Sequence, residues 1–299
     1  MKVKGLVALK SGGPLESYEF ERRTTGLKDV AFKITYAGIC HSDIHQVREE
    51  WGPALFPMVP GHEIVGIVTE TGSAVTKFKV GDRIGVGVFI DSCRDCDPCR
   101  NGQQNYCDKG MTGTYNGYER DGKTIAFGGY ATGFVINEDY AVSIPENLDM
   151  AGVAPLLCAG ITLYSPIRHF KVNDASKVAV MGLGGLGHMG VKFAHALGAH
   201  VTVISHSESK REDALRMGAN DFIVVKSAED LKPLRRKFDL ILNTVSALID
   251  INPYLGTLKI DGTMVIIGLP DSPYKVSAGA LLEDRKSTRL NSSHSSVSR

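Results

Sequence analysis

Cysteine placement constrains this chain more than any other feature. Four of the six cysteines form one compact run, Cys93, Cys96, Cys99 and Cys107, spaced Cys-x2-Cys-x2-Cys-x7-Cys. The other two stand far from it and from each other, Cys40 in Gly-Ile-Cys-His-Ser-Asp and Cys158 in Leu-Leu-Cys-Ala-Gly. An even number could suggest disulfides, but clustered Cys-x-x-Cys spacing without a signal-peptide pattern reads as metal-binding. Four close thiolates suit a closed tetrahedral zinc site, structural because no position is left for water. A bacterial ferredoxin run opens in the same way, yet its fourth cysteine follows after three residues and precedes proline. Here seven residues intervene and Asp108 follows. A zinc ribbon for nucleic acid separates its knuckles widely among basic residues, whereas Asp91, Asp95 and Asp97 surround this run. Structural zinc is the expectation.

The 299 residues are 43% hydrophobic and 22% charged, enough for a sizeable core in one large or two ordinary domains. A net charge of +1 gives no electrostatic case for a nucleic acid or an anionic membrane as partner. No stretch is long and apolar enough to span a bilayer, and the expected compartment is the cytoplasm. Residues 284–299 break with the rest: six of the sixteen are Ser, four are Lys or Arg, and apolar periodicity vanishes. A disordered basic tail is one reading. The other is that Asp-Arg-Lys-Ser-Thr-Arg-Leu-Asn-Ser-Ser-His resembles a translated sequencing adapter, so that the frame is expected to be cut near Glu283 and 284–299 to be non-native. Without that stretch the balance is 30 basic against 32 acidic residues.

The texture of the chain changes near residue 150. Before it, Val30, Phe32, Ile34 and Tyr36 alternate as in a half-buried strand, and β-branched runs follow at 64–69 and 83–89. After it, apolar strands at 178–181, 201–204, 222–225, 240–242 and 264–267 alternate with amphipathic helices, one of them 207–217 ending at Gly218. This rhythm implies an α/β fold with a doubly wound parallel sheet. The predicted division is 1–152, a β-rich domain, and 153–283, a dinucleotide-binding domain.

Gly182-Leu183-Gly184-Gly185-Leu186-Gly187 follows the strand at 178–181 and opens a helix with apolar positions Leu186, Met189, Gly190, Phe193, Ala194 and Leu197. Strand before and helix after give the Gly-x-Gly-x-x-Gly pattern its required context. Gly182 permits the tight turn, Gly184 the approach of a pyrophosphate, and Gly187 close helix–strand packing. Gly185 and Leu186 complete the turn, and the helix N-terminus supplies unpaired N–H groups. Where NAD-binding chains place an acidic residue for the ribose, this one has Ser205-His206-Ser207-Glu208-Ser209-Lys210-Arg211. Hydroxyls followed by two cations suit a 2′-phosphate, so NADP(H) is the predicted cofactor, held by Ser205, Ser207 and Lys210. The alternative is that Lys210 and Arg211 are solvated helix residues.

Taken singly, Cys40, His62 and Cys158 are ordinary core residues. In combination with the four-cysteine run and the glycine loop they are not. Tyr-Ala-Gly-Ile-Cys-His-Ser-Asp-Ile-His, Pro-Met-Val-Pro-Gly-His-Glu, Ala-Pro-Leu-Leu-Cys-Ala-Gly-Ile-Thr and Gly-Leu-Gly-Gly-Leu-Gly-His-Met-Gly occur in this order. From Met1 to Glu283 the chain closely resembles the zinc-dependent medium-chain alcohol dehydrogenases, nearest the cinnamyl alcohol dehydrogenase-like, NADP-dependent branch. The resemblance implies a GroES-like catalytic domain followed by a Rossmann domain, and two Zn²⁺ per chain. Cys40, His62 and Cys158 would bind the catalytic zinc, with Glu63 an exchangeable ligand beside it. Asp43 would orient His62, and Ser42 and His45 would pass the alcohol proton outward. His41 and Thr162 would contact the cofactor, and Gln46, Trp51 and Met58 would lie near the substrate pocket. His169, His188, His195, His200 and His206 are read as structural.

The implied reaction is hydride transfer between NADP(H) and a primary alcohol or aldehyde, aryl or aliphatic. Rivals are a zinc-free quinone or enone reductase, a zinc-stabilised dinucleotide-binding protein without catalysis, and an inactive fragment of the enzyme. Five strands are legible in the second domain, whereas the family has a sixth that commonly pairs subunits. The last strand is therefore expected to be missing, the chain unstable or inactive as written, and a homodimer to be a property of the uninterrupted gene product.

Overall fold

The computed structural model describes residues 1–282 and 287–290. The chain forms two compact units that divide between Cys158 and Ala159. The first is built on a five-stranded antiparallel sheet in the order Gly133–Asn137, Asp29–Ala37, Ile64–Thr71, Arg83–Val86, Val142–Ser143. Val30, Phe32, Ile64, Ile84, Val86, Phe134 and Ile136 fill its core. The alternation expected from Val30 to Tyr36 holds only in part, because Ala31 is buried as well. Register shifts between Ala31 and Phe32 and between Ile34 and Tyr36 interrupt the period of two. The run expected at 83–89 also breaks, and resumes as the separate short strand Phe89–Asp91. An N-terminal hairpin, Lys2–Ala8 with Leu15–Glu21, packs Val3, Val7 and Phe20 against Val59.

The boundary differs from the 152/153 division predicted. The short helix Met150–Val153 and the turn Ala154–Leu157 belong to the first unit, because Val153 and Ala154 pack with Val65 and Ile144. Cys158 therefore shares a unit with Cys40 and His62.

The second unit carries a parallel sheet in the order Asp221–Val224, His200–Ser205, Lys177–Met181, Phe238–Asn243, Leu258–Ile266, Ser287–Leu290. Strand alternation sends Val178 and Val180 into one core and Ala179 and Met181 into another, so both faces are covered. The order reverses beside Lys177–Met181, the topological switch point at which such sheets take ligands. The helix Gly187–Ala196 buries Gly190, Val191 and Ala194, and Leu186, Met189, Phe193 and Leu197 pack along the same core. The helix expected at 207–217 begins with a 3₁₀ turn, Glu208–Lys210, whose N-cap is Ser207, and continues as Arg211–Arg216.

The sheet corrects one expectation. A last strand is present: Ser287–Leu290 pairs in parallel with Thr263–Ile266. Parallel pairing uses backbone N–H and C=O groups, which a polar segment supplies as well as an apolar one, and an open sheet edge offers the complementary row. The rest of the stretch read as adapter-derived, 284–286 and 291–299, lies outside the described residues. Among the described residues no single helix is long and apolar enough to cross a membrane.

Gly182 has φ +83°, and a Cβ on Gly187 would stand 2.1 Å from the Gly182 carbonyl oxygen, whereas a Cβ on Gly184 would meet nothing within 4 Å. Gly187→Ala is expected to destabilise the second unit by about 3 kcal/mol or more. Gly184→Ala should leave stability within about 0.5 kcal/mol. Urea unfolding of both variants checks the contrast, and equal midpoints would contradict it.

Candidate metal centres and cofactor site

The four clustered cysteines lie on a loop that follows Phe89–Asp91. Cys96 stands at the N-cap of the one-turn helix Asp97–Arg100, which contains Cys99, and Cys107 follows the turn Gln104–Tyr106. Their four Sγ atoms all lie within 4.8 Å of one another. Cys93 and Cys99 Sγ are 3.9 Å apart, far beyond the roughly 2.05 Å of a disulfide. The value is close to the edge of about 3.8 Å that tetrahedral zinc–sulfur bonds would give. Backbone N–H groups of Cys93, Cys96 and Asp108 donate to Cys107, Cys93 and Cys96 Sγ, each at 3.4 Å. Backbone amides of Asp95 and Cys96 draw the Cys93 thiol down to about 6. These donors stabilise thiolates, which are the metal-binding form.

The second group assembles from three separated segments. Cys40 stands at the N-cap of the helix His41–Val47, and His62 and Glu63 precede the strand Ile64–Thr71. Cys158 ends the turn Ala154–Leu157. One ligand atom each from Cys40, His62, Glu63 and Cys158 lies within 4.8 Å of the others. Cys158 is fully buried, and His62 and Glu63 nearly so. Asp43 accepts from Cys40 N at 3.1 Å, Gly61 N at 2.9 Å, His62 Nδ1 at 3.1 Å and Tyr130 OH at 2.8 Å. With Nδ1 donating to Asp43, Nε2 is the ring nitrogen left to bind a metal in exchange for its proton.

The charges here fit a cation. The Cys158 thiol donates to Cys40 and, with His62, lowers the Cys40 thiol to about 3. Cys158 is driven the opposite way, first by Cys40, then by burial and by the charge of Glu63. Burial opposes a charged His62, but Asp43 and Cys40 outweigh it and raise the ring to about 10. The two thiols shift in opposite directions because they share one hydrogen bond, and a positive centre among these ligands would favour both thiolates. Two thiolates, an imidazole and a carboxylate are donors that zinc takes.

A small cavity adjoins this group, lined by Ser42, Gln46, Trp51, His62, Val88, Gly113, Thr114 and Tyr115. Ser42 Oγ lies 3.4 Å from Cys40 Sγ. Gln46 and Trp51 line this cavity, whereas Met58 is not one of its lining residues. It pairs with Ala8 through two backbone hydrogen bonds and is 1% exposed. His45 stacks on Trp51 with ring centroids 4.5 Å apart, and its Nδ1 meets the Glu50 carboxylate. His41 is exposed, with its ring 6.1 Å from that of His45. Tyr115, stacked on His62 at 5.8 Å, and Tyr130 escaped the sequence reading. The signal for Tyr130 was Gly128-Gly129, where the backbone passes too close to Pro60 and Ile64 for any side chain.

In the second unit a separate cavity of about 610 Å³ is lined in part by Gly182, Leu183, Ser205, Ser207 and Lys210. Lys210 Nζ donates to the Leu183 carbonyl at 2.8 Å, so the ammonium lies over the glycine turn. Ser207 N donates to Ser205 Oγ at 3.2 Å. Arg211, grouped with Lys210 in the sequence, is drawn elsewhere. It pairs with both carboxylate oxygens of Glu208, lies 4.9 Å from the Phe222 ring centre and donates to the Phe222 carbonyl at 3.0 Å. Gly184 and Gly185 border open space, Leu186 and Gly187 begin the helix, and Thr162 is fully buried in the helix Ala159–His169.

Residues 26–146 match the model of the alcohol dehydrogenase GroES-like domain, and residues 185–296 that of the zinc-binding dehydrogenase. The NADP-dependent alcohol dehydrogenase C 1 of Mycolicibacterium smegmatis is 53% identical over 285 residues, covering 95% of this chain and 81% of that protein. A cinnamyl alcohol dehydrogenase from Sorghum bicolor superposes with a TM-score of 0.93 at 44% identity, covering 97% of this chain and 83% of that one. The cinnamyl alcohol dehydrogenase of Helicobacter pylori, solved in complex with NADP(H), gives 0.89 at 40% identity, covering 96% and 82%. By these likenesses the chain belongs to the zinc-dependent medium-chain alcohol dehydrogenases, as a cinnamyl alcohol dehydrogenase-like member.

Proposed function

We propose that this chain interconverts primary alcohols and aldehydes with NADP(H) as the hydride partner, using Cys40, His62 and Cys158 to hold a catalytic zinc. The observation that carries the reading is the convergence of those three residues and Glu63 within 4.8 Å, with His62 in the wall of a cavity that also contains Ser42. Bound there, zinc polarises the alcohol or aldehyde oxygen while the nicotinamide takes or gives the hydride. Asp43 keeps Nδ1 of His62 protonated and directs Nε2 to the metal. Glu63 serves as an exchangeable ligand. Ser42 accepts or returns the alcohol proton at Oγ, and His45, paired with Glu50, passes it outward. Trp51, Val88 and Tyr115 in the cavity wall offer apolar surface to the aryl or aliphatic part of the substrate.

Cys93, Cys96, Cys99 and Cys107 hold a second, structural zinc. Lys210 and the hydroxyls of Ser205 and Ser207 bind the 2′-phosphate, and Gly184, Gly185 and the N-terminus of Gly187–Ala196 bind the pyrophosphate. The compartment we assign is the cytoplasm, where thiols stay reduced and available to a metal.

Zinc analysis together with NADPH consumption on a panel of simple aldehydes tests the whole reading. Two zinc per chain and turnover are expected, and a zinc-loaded protein that binds NADPH but reduces no aldehyde would sink it. Cys158→Ala should lose one zinc and lower kcat/KM by about 10³-fold, because metal polarisation contributes several kcal/mol. Full turnover with both zincs retained is the contrary result. Lys210→Ala should raise the KM for NADPH by about 10–100-fold, the worth of one charge-assisted hydrogen bond, and leave that for NADH nearly unchanged. An equal rise for both cofactors would remove Lys210 from the 2′-phosphate site.

A further inference from the structure

The four hydrogen bonds at Asp43 are divided evenly between its oxygens. Oδ1 accepts from Gly61 N and His62 Nδ1, and Oδ2 accepts from Cys40 N and Tyr130 OH. The residue is 3% exposed, so a donor lost here is replaced only at the cost of desolvated charge. Without the Tyr130 phenol, Oδ2 keeps the Cys40 amide, and the Tyr115 hydroxyl is a further side-chain donor that the structure sets against this carboxylate. The carboxylate torsion is broad for a bond of this type, and Asp43 could then swing and carry His62 with it.

Tyr130 is anchored independently of Asp43. Gly128 N donates to Val59 O at 2.6 Å, Gly129 N to Gly61 O at 2.8 Å and Tyr130 N to Pro60 O at 2.9 Å. The loop before Tyr130 is thus tied directly to the segment that leads into His62. Behind that loop the Arg22 guanidinium lies 5.0 Å from the Phe20 ring centre and 4.2 Å from that of Phe134. It donates to the carbonyls of Phe127, Gly128 (2.7 Å) and Gly133 (3.2 Å). The phenol is therefore presented by a clamped backbone and does not simply follow the carboxylate.

We propose that Tyr130 is a positioning residue for the catalytic metal ligands: its hydroxyl fixes the Asp43 carboxylate, which in turn sets the ring of His62 and the amide of Cys40. The inference rests on the reading of Cys40, His62 and Cys158 as zinc ligands. Nothing in it assigns Tyr130 contact with substrate or metal.

The test measures zinc release to a chromophoric chelator from the full chain, as wild type, Tyr130→Phe, Asp43→Asn and the double variant. The four-cysteine site of the same molecule is the internal reference. Tyr130→Phe should weaken zinc retention at the Cys40–His62–Cys158 site by about 10-fold or more, the usual loss when a partner of a ligating histidine is removed. The second zinc should be released as in wild type. Because Tyr130 acts through Asp43, its loss should add little in the Asp43→Asn background, and with cobalt in place of zinc the visible bands of the Phe variant should shift. Release no faster than from wild type, or a loss fully additive with Asp43→Asn, overturns the proposal. A wild-type chain that retains only one zinc overturns the ligand assignment beneath it, which tells the two failures apart. Should Tyr130→Phe not fold, 3-fluorotyrosine incorporation strengthens the phenol as donor with the ring in place. Slower catalytic-site zinc release then supports the proposal, and unchanged release overturns it.

Discussion

One buried carboxylate organises the catalytic half of this protein. Asp43 receives hydrogen bonds from the N-cap of its own helix, from the Gly61–His62 segment and from Tyr130 on a third. An ionised carboxylate taken out of water is costly unless each lone pair finds a donor, and here every donor lies on a segment that must reach the metal site or brace it. Satisfying Asp43 and assembling the ligands are the same structural event. The chain thereby solves two electrostatic problems at once, a desolvated anion and an imidazole of fixed orientation.

The two thiol sites meet a related constraint in different ways. The four-cysteine loop stabilises its sulfurs locally, with backbone N–H groups at short sequence distance and a serine hydroxyl 3.2 Å from Cys99. The ligands around Cys158 come instead from three separated segments and are fixed through Asp43, with Ser42 Oγ 3.4 Å from Cys40 Sγ. Closed coordination suits a metal kept for structure. A buried set beside a cavity suits a metal that must still exchange a ligand. In the second unit the cation question takes another form. Lys210 is held over the glycine turn by a carbonyl, while its neighbour Arg211 is neutralised by Glu208.

Much of this was legible in the sequence. The strands of the second unit could be placed because continuous apolar runs bounded by turns carry their own signal, and the glycine turn because its context was complete. The four-cysteine run was readable from spacing alone. The partnership of Cys40, His62 and Cys158 was not, since spacing cannot say which distant residues converge, and it came from resemblance. Tyr130 was missed because its bond to Asp43 spans 87 residues. The pairing of Arg211 with Glu208 and Phe222 had no sequence signal, because it depends on the turn at Ser207. The strand Ser287–Leu290 had no side-chain pattern to announce it, because edge pairing reads the backbone. The unit boundary moved from 152 to 158 because Val153 and Ala154 are apolar residues whose burial partners, Val65 and Ile144, lie upstream.

The difference in sequence span between the two sites has a consequence in time. Closing the loop from Cys93 to Cys107 restricts a short piece of chain, and the entropy of that closure is small. Bringing Cys158 to Cys40 means closing nearly the whole first unit around a core of long-range strand pairings, which is slow to form. During synthesis the clustered thiols can therefore capture a metal while most of the fold is still open. On the proposed ligand set the second site is complete only when Cys158 arrives, so metal acquisition there would report completion of the unit and follow loading of the clustered thiols.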